Sequence, residues 1–310
     1  MPWNRPRTNT FFRLPALALL LGLLPQTVMA QILSTGDGNL FANGPAFDAG
    51  FLATNKIKSI KGTVSTKADL KPIRDVGLVQ EYAFNRKGEW IMQLTTAEVS
   101  GKPTDTTLVF RSFGQATVPQ YLRTINGAGV STYRYEYDSL NRVVGQAYYR
   151  EENIGDGQLR FRPGRQFLIT EEAFRYPQGG DLTSRKQYLN GQGKVYKELT
   201  VTVDTLGNFV EKTTRFNITQ RRQTFTYSYN AENRVQEITE FSNVVGRYSV
   251  TYQYEYDEVG NVISEKTYRN GDLKQTKEFL YDERLLLSAL LWRDEGSQSI
   301  RIVRFAYEFY

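Results

Sequence analysis

Carboxylates set close together are the residues in this chain best suited to chemistry. Glu136 with Asp138, Glu151 with Glu152, and Glu171 with Glu172 each offer a pair. Glycoside hydrolysis needs two carboxyl groups about 5–10 Å apart. On an extended strand Glu136 and Asp138 share one face. Glu255 and Asp257 repeat that spacing, which is also the mark of a solvated strand face ending in a turn acid. The chain has no His and no Cys. It therefore lacks the usual general base near neutral pH, the middle member of a hydrolytic triad and the commonest transition-metal ligands. Gly36-Asp37-Gly38 and Gly155-Asp156-Gly157 lack the context of a phosphate loop and the ligand series of a calcium loop. No catalytic, cofactor-binding or metal-binding residue is assigned, and no cofactor is expected. Trp90 and Trp292, in strand-like contexts, are the candidates for stacking on a ligand.

The elements that would position such groups follow from a recurring cassette. Tyr133 to Val143 reads YRYEYDSLNRV, Phe225 to Val235 reads FTYSYNAENRV, and Tyr252 to Val262 reads YQYEYDEVGNV. Side chains alternate along a strand, so Tyr135 and Tyr137 share a face, as do Tyr227 and Tyr229, and Tyr254 and Tyr256. Asp138, Asn230 and Asp257 close each run by accepting backbone N–H groups in a turn. Asn141, Asn233 and Gly260 then supply residues tolerant of left-handed backbone. Weaker copies place Tyr82, Phe84, Asn85 and Gly88, then Asp204 and Gly207, then Tyr281 and Asp282, in the same roles.

Asp204, Asn230, Asp257 and Asp282 follow one another at 26, 27 and 25 residues. A period of about 26 residues is two strands plus two turns. Further turns are expected near Arg111–Gly114 and Pro163–Arg165, and Asn190, only 14 residues before Asp204, marks an extra short hairpin. The fold expected is all-β: an antiparallel β-hairpin repeat meander of about 14 to 18 strands, in an open curved or rolled sheet.

Residues 1–30 read as a signal peptide. Arg5, Arg7 and Arg13 form a basic head, Leu14–Leu24 an apolar stretch, and Val28-Met29-Ala30 a cleavage site. Residues 31–76 are expected to be an irregular capping segment, with a short helix near Phe47, Phe51 and Leu52. Residues 77–310 form the repeat domain. The chain carries 39 basic against 33 acidic residues, and loss of the three leader arginines lowers the surplus from +6 to +3. That balance does not point to nucleic acid. Without cysteines, cohesion must come from sheet pairing and aromatic packing.

The cassettes resemble the YD repeat of bacterial Rhs and teneurin-type proteins. Tyr135-Glu136-Tyr137-Asp138 with Asn141-Arg142-Val143 carries the pattern, as do Tyr227–Val235 and Tyr254–Val262. With the weaker copies the resemblance spans roughly residues 78–310. It implies hairpins wound into a β shell, and the chain is closer to short exported bacterial members than to long toxin-enclosing ones.

The function expected is that of a non-enzymatic exported repeat protein, a binding or assembly surface in the periplasm or at the cell surface of a Gram-negative bacterium. Its partner would be a cell-envelope protein or a surface glycan, with no stable membrane span after signal cleavage. The sequence leaves the oligomeric state open. One alternative is an outer-membrane β-barrel. Strict alternation along 233–241 argues against it: Gln236, Ile238 and Glu240 would share one face and Val235, Glu237 and Thr239 the other, neither suited to hydrocarbon. A carbohydrate-active enzyme on a β scaffold is the other alternative.

Overall fold

The computed structural model describes residues 31–310 apart from 37, 43, 45, 100, 101, 114–118, 158 and 159. The expected signal peptide lies outside the described residues. A short helix, α1 (Ala49–Thr54), begins at Asp48, whose Oδ1 accepts from Phe51 N at 2.7 Å. The strands follow as β1 (Ile57–Ala68), β2 (Arg74–Phe84), β3 (Trp90–Val99), β4 (Lys102–Phe113), β5 (Pro119–Asn126) and β6 (Gly129–Tyr137). Next come β7 (Val143–Asn153), β8 (Pro163–Arg175), β9 (Thr183–Leu189), β10 (Val195–Val203), β11 (Phe209–Phe216) and β12 (Arg221–Tyr229). The last are β13 (Val235–Ser242), β14 (Tyr248–Tyr256), β15 (Val262–Arg269), β16 (Asp272–Tyr281), β17 (Leu287–Asp294) and β18 (Ser299–Phe309).

Each strand pairs antiparallel with its sequence neighbours, and β18 pairs back onto β1 from Ile57–Phe309 to Ala68–Ser299. The 18 strands therefore close into a barrel. Closure corrects the expected open curved or rolled meander. A long twisted sheet curls, and when its last strand finds its first, both edges are removed. The YD-repeat, Rhs-like reading is corrected with it: the local turn grammar is present, but it serves a closed ring. The ring has one step. β8 pairs along β7 from Gly145–Ala173 to Asn153–Pro163, yet meets β9 only through Ala173–Leu189, Phe174–Tyr188 and Arg175–Gln187.

One rim is built from the cassette turns. Asn85, Asp138, Asp204, Asn230, Asp257 and Asp282 each follow an even-numbered strand. Their side-chain oxygens accept backbone N–H groups ahead, as Asp138 Oδ1 does from Leu140 and Arg142 at 2.9 Å, and Asn230 Oδ1 from Glu232 and Arg234. Three residues after each acceptor the backbone is left-handed, at Gly88, Asn141, Gly207, Asn233, Gly260 and Leu285. Asn190 makes the same turn at the opposite rim, half a unit out of step, hence its short spacing from Asp204. The turn expected near Pro163 is absent: Pro163 opens β8, and residues 176–182 make that connection.

Behind these turns the returning strand carries an extra residue. Tyr229 pairs with Val235 but Ser228 with Glu237, and Tyr256 pairs with Val262 but Glu255 with Ser264. The bulge returns Val235 and Val262 to the face of the tyrosines. It also corrects the alternation expected along 233–241. Val235 joins Ile238 and Glu240 on the inner face, while Glu237 and Thr239 point outward beside Gln253 and Thr251.

The last tyrosine of each cassette adds a second tie. Tyr137, Tyr229, Tyr256 and Tyr281 donate their hydroxyls to the carbonyls of Pro119, Phe209, Val235 and Val262, at 2.6–2.9 Å. Each acceptor is the first residue of the preceding strand, so each bond stitches one hairpin to the next. A neutral bond of this kind contributes about 0.5–1.5 kcal/mol.

The inner aromatics do not enclose an empty bore. Ile32, Leu33, Leu40, Phe51 and Leu52 of the N-terminal segment are buried in one cluster with Ile60, Tyr82, Phe84, Ile238, Tyr254, Phe279, Leu290 and Val303 of the wall. The segment is a plug, entered from the cassette-turn rim. Gly88 fits under α1 because a Cβ there would fall 1.9 Å from the Ala49 carbonyl oxygen.

Candidate functional site

The plug is held by a buried ion pair of the wall. Glu265 and Lys277 face each other across β15 and β16, both side chains fully buried, with Nζ 2.9 Å from Oε1. Leu40 N donates to Glu265 Oε2 at 2.7 Å, and Lys277 Nζ donates to the Leu40 carbonyl at 2.5 Å and to Asn39 Oδ1. Tyr254 Oη donates to the Gly38 carbonyl at 2.7 Å, and Trp292 lies under Lys277 Nζ at 4.5 Å. A buried ion pair is tolerated when its remaining hydrogen-bonding capacity is filled. Here the plug backbone fills it, so these wall residues read the plug's position.

The sector of wall away from this lock is cationic and aromatic. Tyr188 on β9 stands opposite Lys197 on β10, and Lys212 on β11 opposite Phe225 on β12. Lys186 Nζ sits 3.8 Å from the Phe174 ring centre, Lys197 Nζ 3.8 Å from Tyr188 and Lys212 Nζ 3.7 Å from Phe209. Such contacts hold each ammonium at roughly 0.5–2 kcal/mol. A cleft of about 510 Å³ opens beside them, lined by Tyr176, Ser184, Lys186, Leu199 and Arg142. A second, of about 420 Å³, lies between the plug and the wall at Phe41, Phe47, Trp90 and Arg111. This arrangement can hold an anion against aromatic faces.

The outward face divides into two sectors. On β3–β6, alternation places Met92, Leu94, Leu108, Phe110, Ile125 and Val130 opposite the lumen, and Phe161 packs over them. On β10–β16 the outward residues are mostly polar, with Leu280 an exposed exception. Thr213 and Thr224 are joined at 3.0 Å, Thr239 and Thr251 at 3.1 Å, and Glu255 pairs with Lys266 at 2.7 Å.

The paired carboxylates are not brought together. Asp138 holds its turn and binds Arg142 at 2.7 Å, while Glu136 points outward beside Gly145. Glu151 is bound by Arg123 at 3.0 Å, Glu172 takes the Tyr196 hydroxyl, and Glu171 lies on the opposite strand face, across from Ala147. Trp90 and Trp292 both lie against the core cluster, each with an arginine or lysine over its ring. Among the described residues no group of acids could hold a metal ion. Sequence reasoning missed Glu265, Lys277, Lys186, Lys197 and Lys212. The available signal was register: Lys277 lies two residues before Phe279 and four before Tyr281, on the same strand face.

Closure corrects the functional expectations as well. An open sheet acting as a binding or assembly surface requires long free faces and edges, and this sheet has turned its aromatic face inward around a plug. Of the readings weighed, the outer-membrane barrel is the one a closed, even-stranded antiparallel sheet fits. The expectation of no stable membrane span is corrected on the same ground, because closed barrels are the β architecture able to cross a bilayer. The expectation of a location free in the periplasm or outside the cell is corrected on that same ground.

No family model matches the chain, and no curated protein matches it. Solved structures with some likeness include a porin-like protein from Bacteroides uniformis, at 10% identity over 81% of this chain and 98% of that one, TM-score 0.39. A porin-like protein from Bacteroides vulgatus matches at 9% identity over 79% and 97%, TM-score 0.30. The TcdB2-TccC3-TEV structure matches at 10% identity over 76% of this chain and 18% of that one, TM-score 0.22. At these scores likeness carries no argument, and the barrel is read from the register of its own strands.

Proposed function

We propose that the chain is a plugged β-barrel of the outer-membrane type whose working surface is its lumen. The observation that carries this reading is the pairing of β1 with β18, which closes an even number of strands. Ile57 and Phe309, the two ends of the barrel wall, meet at the rim of short cassette turns. The opposite rim bears two-residue turns between β5 and β6 and between β15 and β16 as well as the longer connection between β7 and β8, so loop length sets no polarity. The lysines and tyrosines of β9–β11 suit the lumen to a small anionic solute, with the plug as the element that admits or withholds it.

The polar outward sector makes membrane seating the property to measure first. A lysine or arginine at the bilayer midplane costs about 2–4 kcal/mol, less near the interfaces. The test is fractionation of the native envelope followed by gel migration of unheated and heated samples. Release only by detergent, with a heat-dependent shift in migration, is expected. Complete recovery in the aqueous fraction would overturn the reading.

A further inference from the structure

The step in the barrel leaves one strand half-paired. From Pro163 to Glu172, β8 bonds β7 on one side and, among the described residues, has no strand on the other, because β9 ends at Leu189, opposite Ala173. At about 3.3 Å per residue this is a free edge of roughly 30 Å, with every second backbone group directed outward. Phe167, Leu168 and Ile169 on it are 48%, 50% and 56% exposed. An edge this long and apolar is a template for strand addition, and native proteins cover or blunt such edges.

We propose that this edge pairs with the same edge of a second copy of the chain, making a two-fold dimer with a continuous sheet across it. The segment reads Arg165-Gln166-Phe167-Leu168-Ile169-Thr170-Glu171-Glu172, basic at one end, apolar in the middle and acidic at the other. Turned antiparallel on itself, it sets Arg165 of each copy against the acidic end of the other and Leu168 against Ile169. A two-fold interface must be self-complementary, and this strand is. The bulge at Ile169, which shifts the register between Tyr148–Thr170 and Tyr149–Leu168, keeps inward residues opposite inward ones in that pairing. Glu171, opposite Ala147, is left by β7 without a charged partner of its own across the strand.

The inference rests on the strand register and is independent of where the barrel is seated. Its test is the mass of the purified full chain, in detergent and in buffer, with two variants. The chain has no cysteine, so Leu168→Cys/Ile169→Cys places thiols only at the two-fold axis. A dimer in the parent protein and a reducible covalent dimer in the cysteine variant are expected. Leu168→Lys/Ile169→Lys changes exposed side chains only and should weaken self-association about tenfold or more while leaving the strand signal in circular dichroism unchanged. A parent protein that stays monomeric, or a lysine variant that dimerises as well as the parent, would overturn the proposal.

Discussion

Tyr256 Oη donates to the Val235 carbonyl at 2.6 Å, tying the end of β14 to the start of β13 beside the bulge that follows Val235. The same bond recurs at Tyr281 and Val262 and at Tyr307 and Leu287. The third aromatic of a cassette is therefore a tyrosine for its hydroxyl, while the second turns to the lumen, as a ring alone at Phe279 and with a hydroxyl bound to the plug at Tyr254. In the Asn85 copy the residue in third place is Phe84, and there the acceptor role is reversed: Tyr310 Oη donates to the Phe84 carbonyl.

Tyr256→Phe keeps the ring and removes the hydroxyl. Stability should fall by about 1 kcal/mol, and by up to about 3 kcal/mol if the Val235 carbonyl finds no water. Tyr268→Phe, on the outward face of β15, is the control and should change little. Urea unfolding of both variants checks this.

Removing one member of the Glu265–Lys277 pair should release the plug. Lys277→Met strands a buried carboxylate and should cost about 3–5 kcal/mol. Lys277→Met/Glu265→Leu removes both charges and should recover much of that loss. The readout is the rate at which a protease cuts within residues 38–41, fast in the single variant and slower in the double. Equal cutting in the parent and the single variant would show that the pair does not hold the plug.

Leu285 occupies the left-handed position, φ 60°, that glycine or asparagine takes in the sister turns. Left-handed backbone costs a branched residue roughly 1–2 kcal/mol. Leu285→Gly should therefore raise the thermal midpoint, less the small apolar contact of a partly exposed side chain. A lower midpoint would mean that the contact outweighs the strain.

The turn acids give the protein an acid-sensitive limb. Asn208, through its side-chain amide and then its backbone N–H, holds the Asp204 carboxyl below the ordinary carboxylate range, and the N–H groups of Leu206 and Gly207 add to this. Backbone and side-chain bonds from Arg142 do the same at Asp138. A lowered folded-state pKa means stability that is complete above the unfolded value and lost as pH falls through the folded one. Asp204→Asn copies the working turn at Asn230 and removes the titrating proton. The variant should lose less stability than the parent between neutral and acid pH, with the turn intact.

The rim of this barrel was legible in the sequence, and its closure was not. Asp138, Asn230 and Asp257 advertise their turns because the hydrogen bonds they make reach only four residues ahead. Alternating tyrosines fix a strand face for the same local reason. Closure joins residues 57–68 to residues 299–309, and no pattern within either stretch names the other. The bulge at Gln236 is equally silent, and strict alternation therefore put Val235 on the wrong face. The plug lock sits between these cases. Register with Phe279 and Tyr281 turns Lys277 inward, but its backbone partner at Leu40 lies 237 residues away. A single charge on an aromatic strand face was the available hint that something polar comes to meet it.

The most direct test of the closed barrel is a cross-link over its seam. Thr63 and Arg304 are register partners across β1 and β18, and Thr63→Cys/Arg304→Cys puts the only two thiols of the chain there. Mild oxidation should give an intramolecular disulfide in nearly all molecules, read as a faster-migrating monomer that reduction reverses. Free thiols throughout, or bridges only between separate chains, would contradict the ring on which the plug, the lumen and the proposed membrane seat rest.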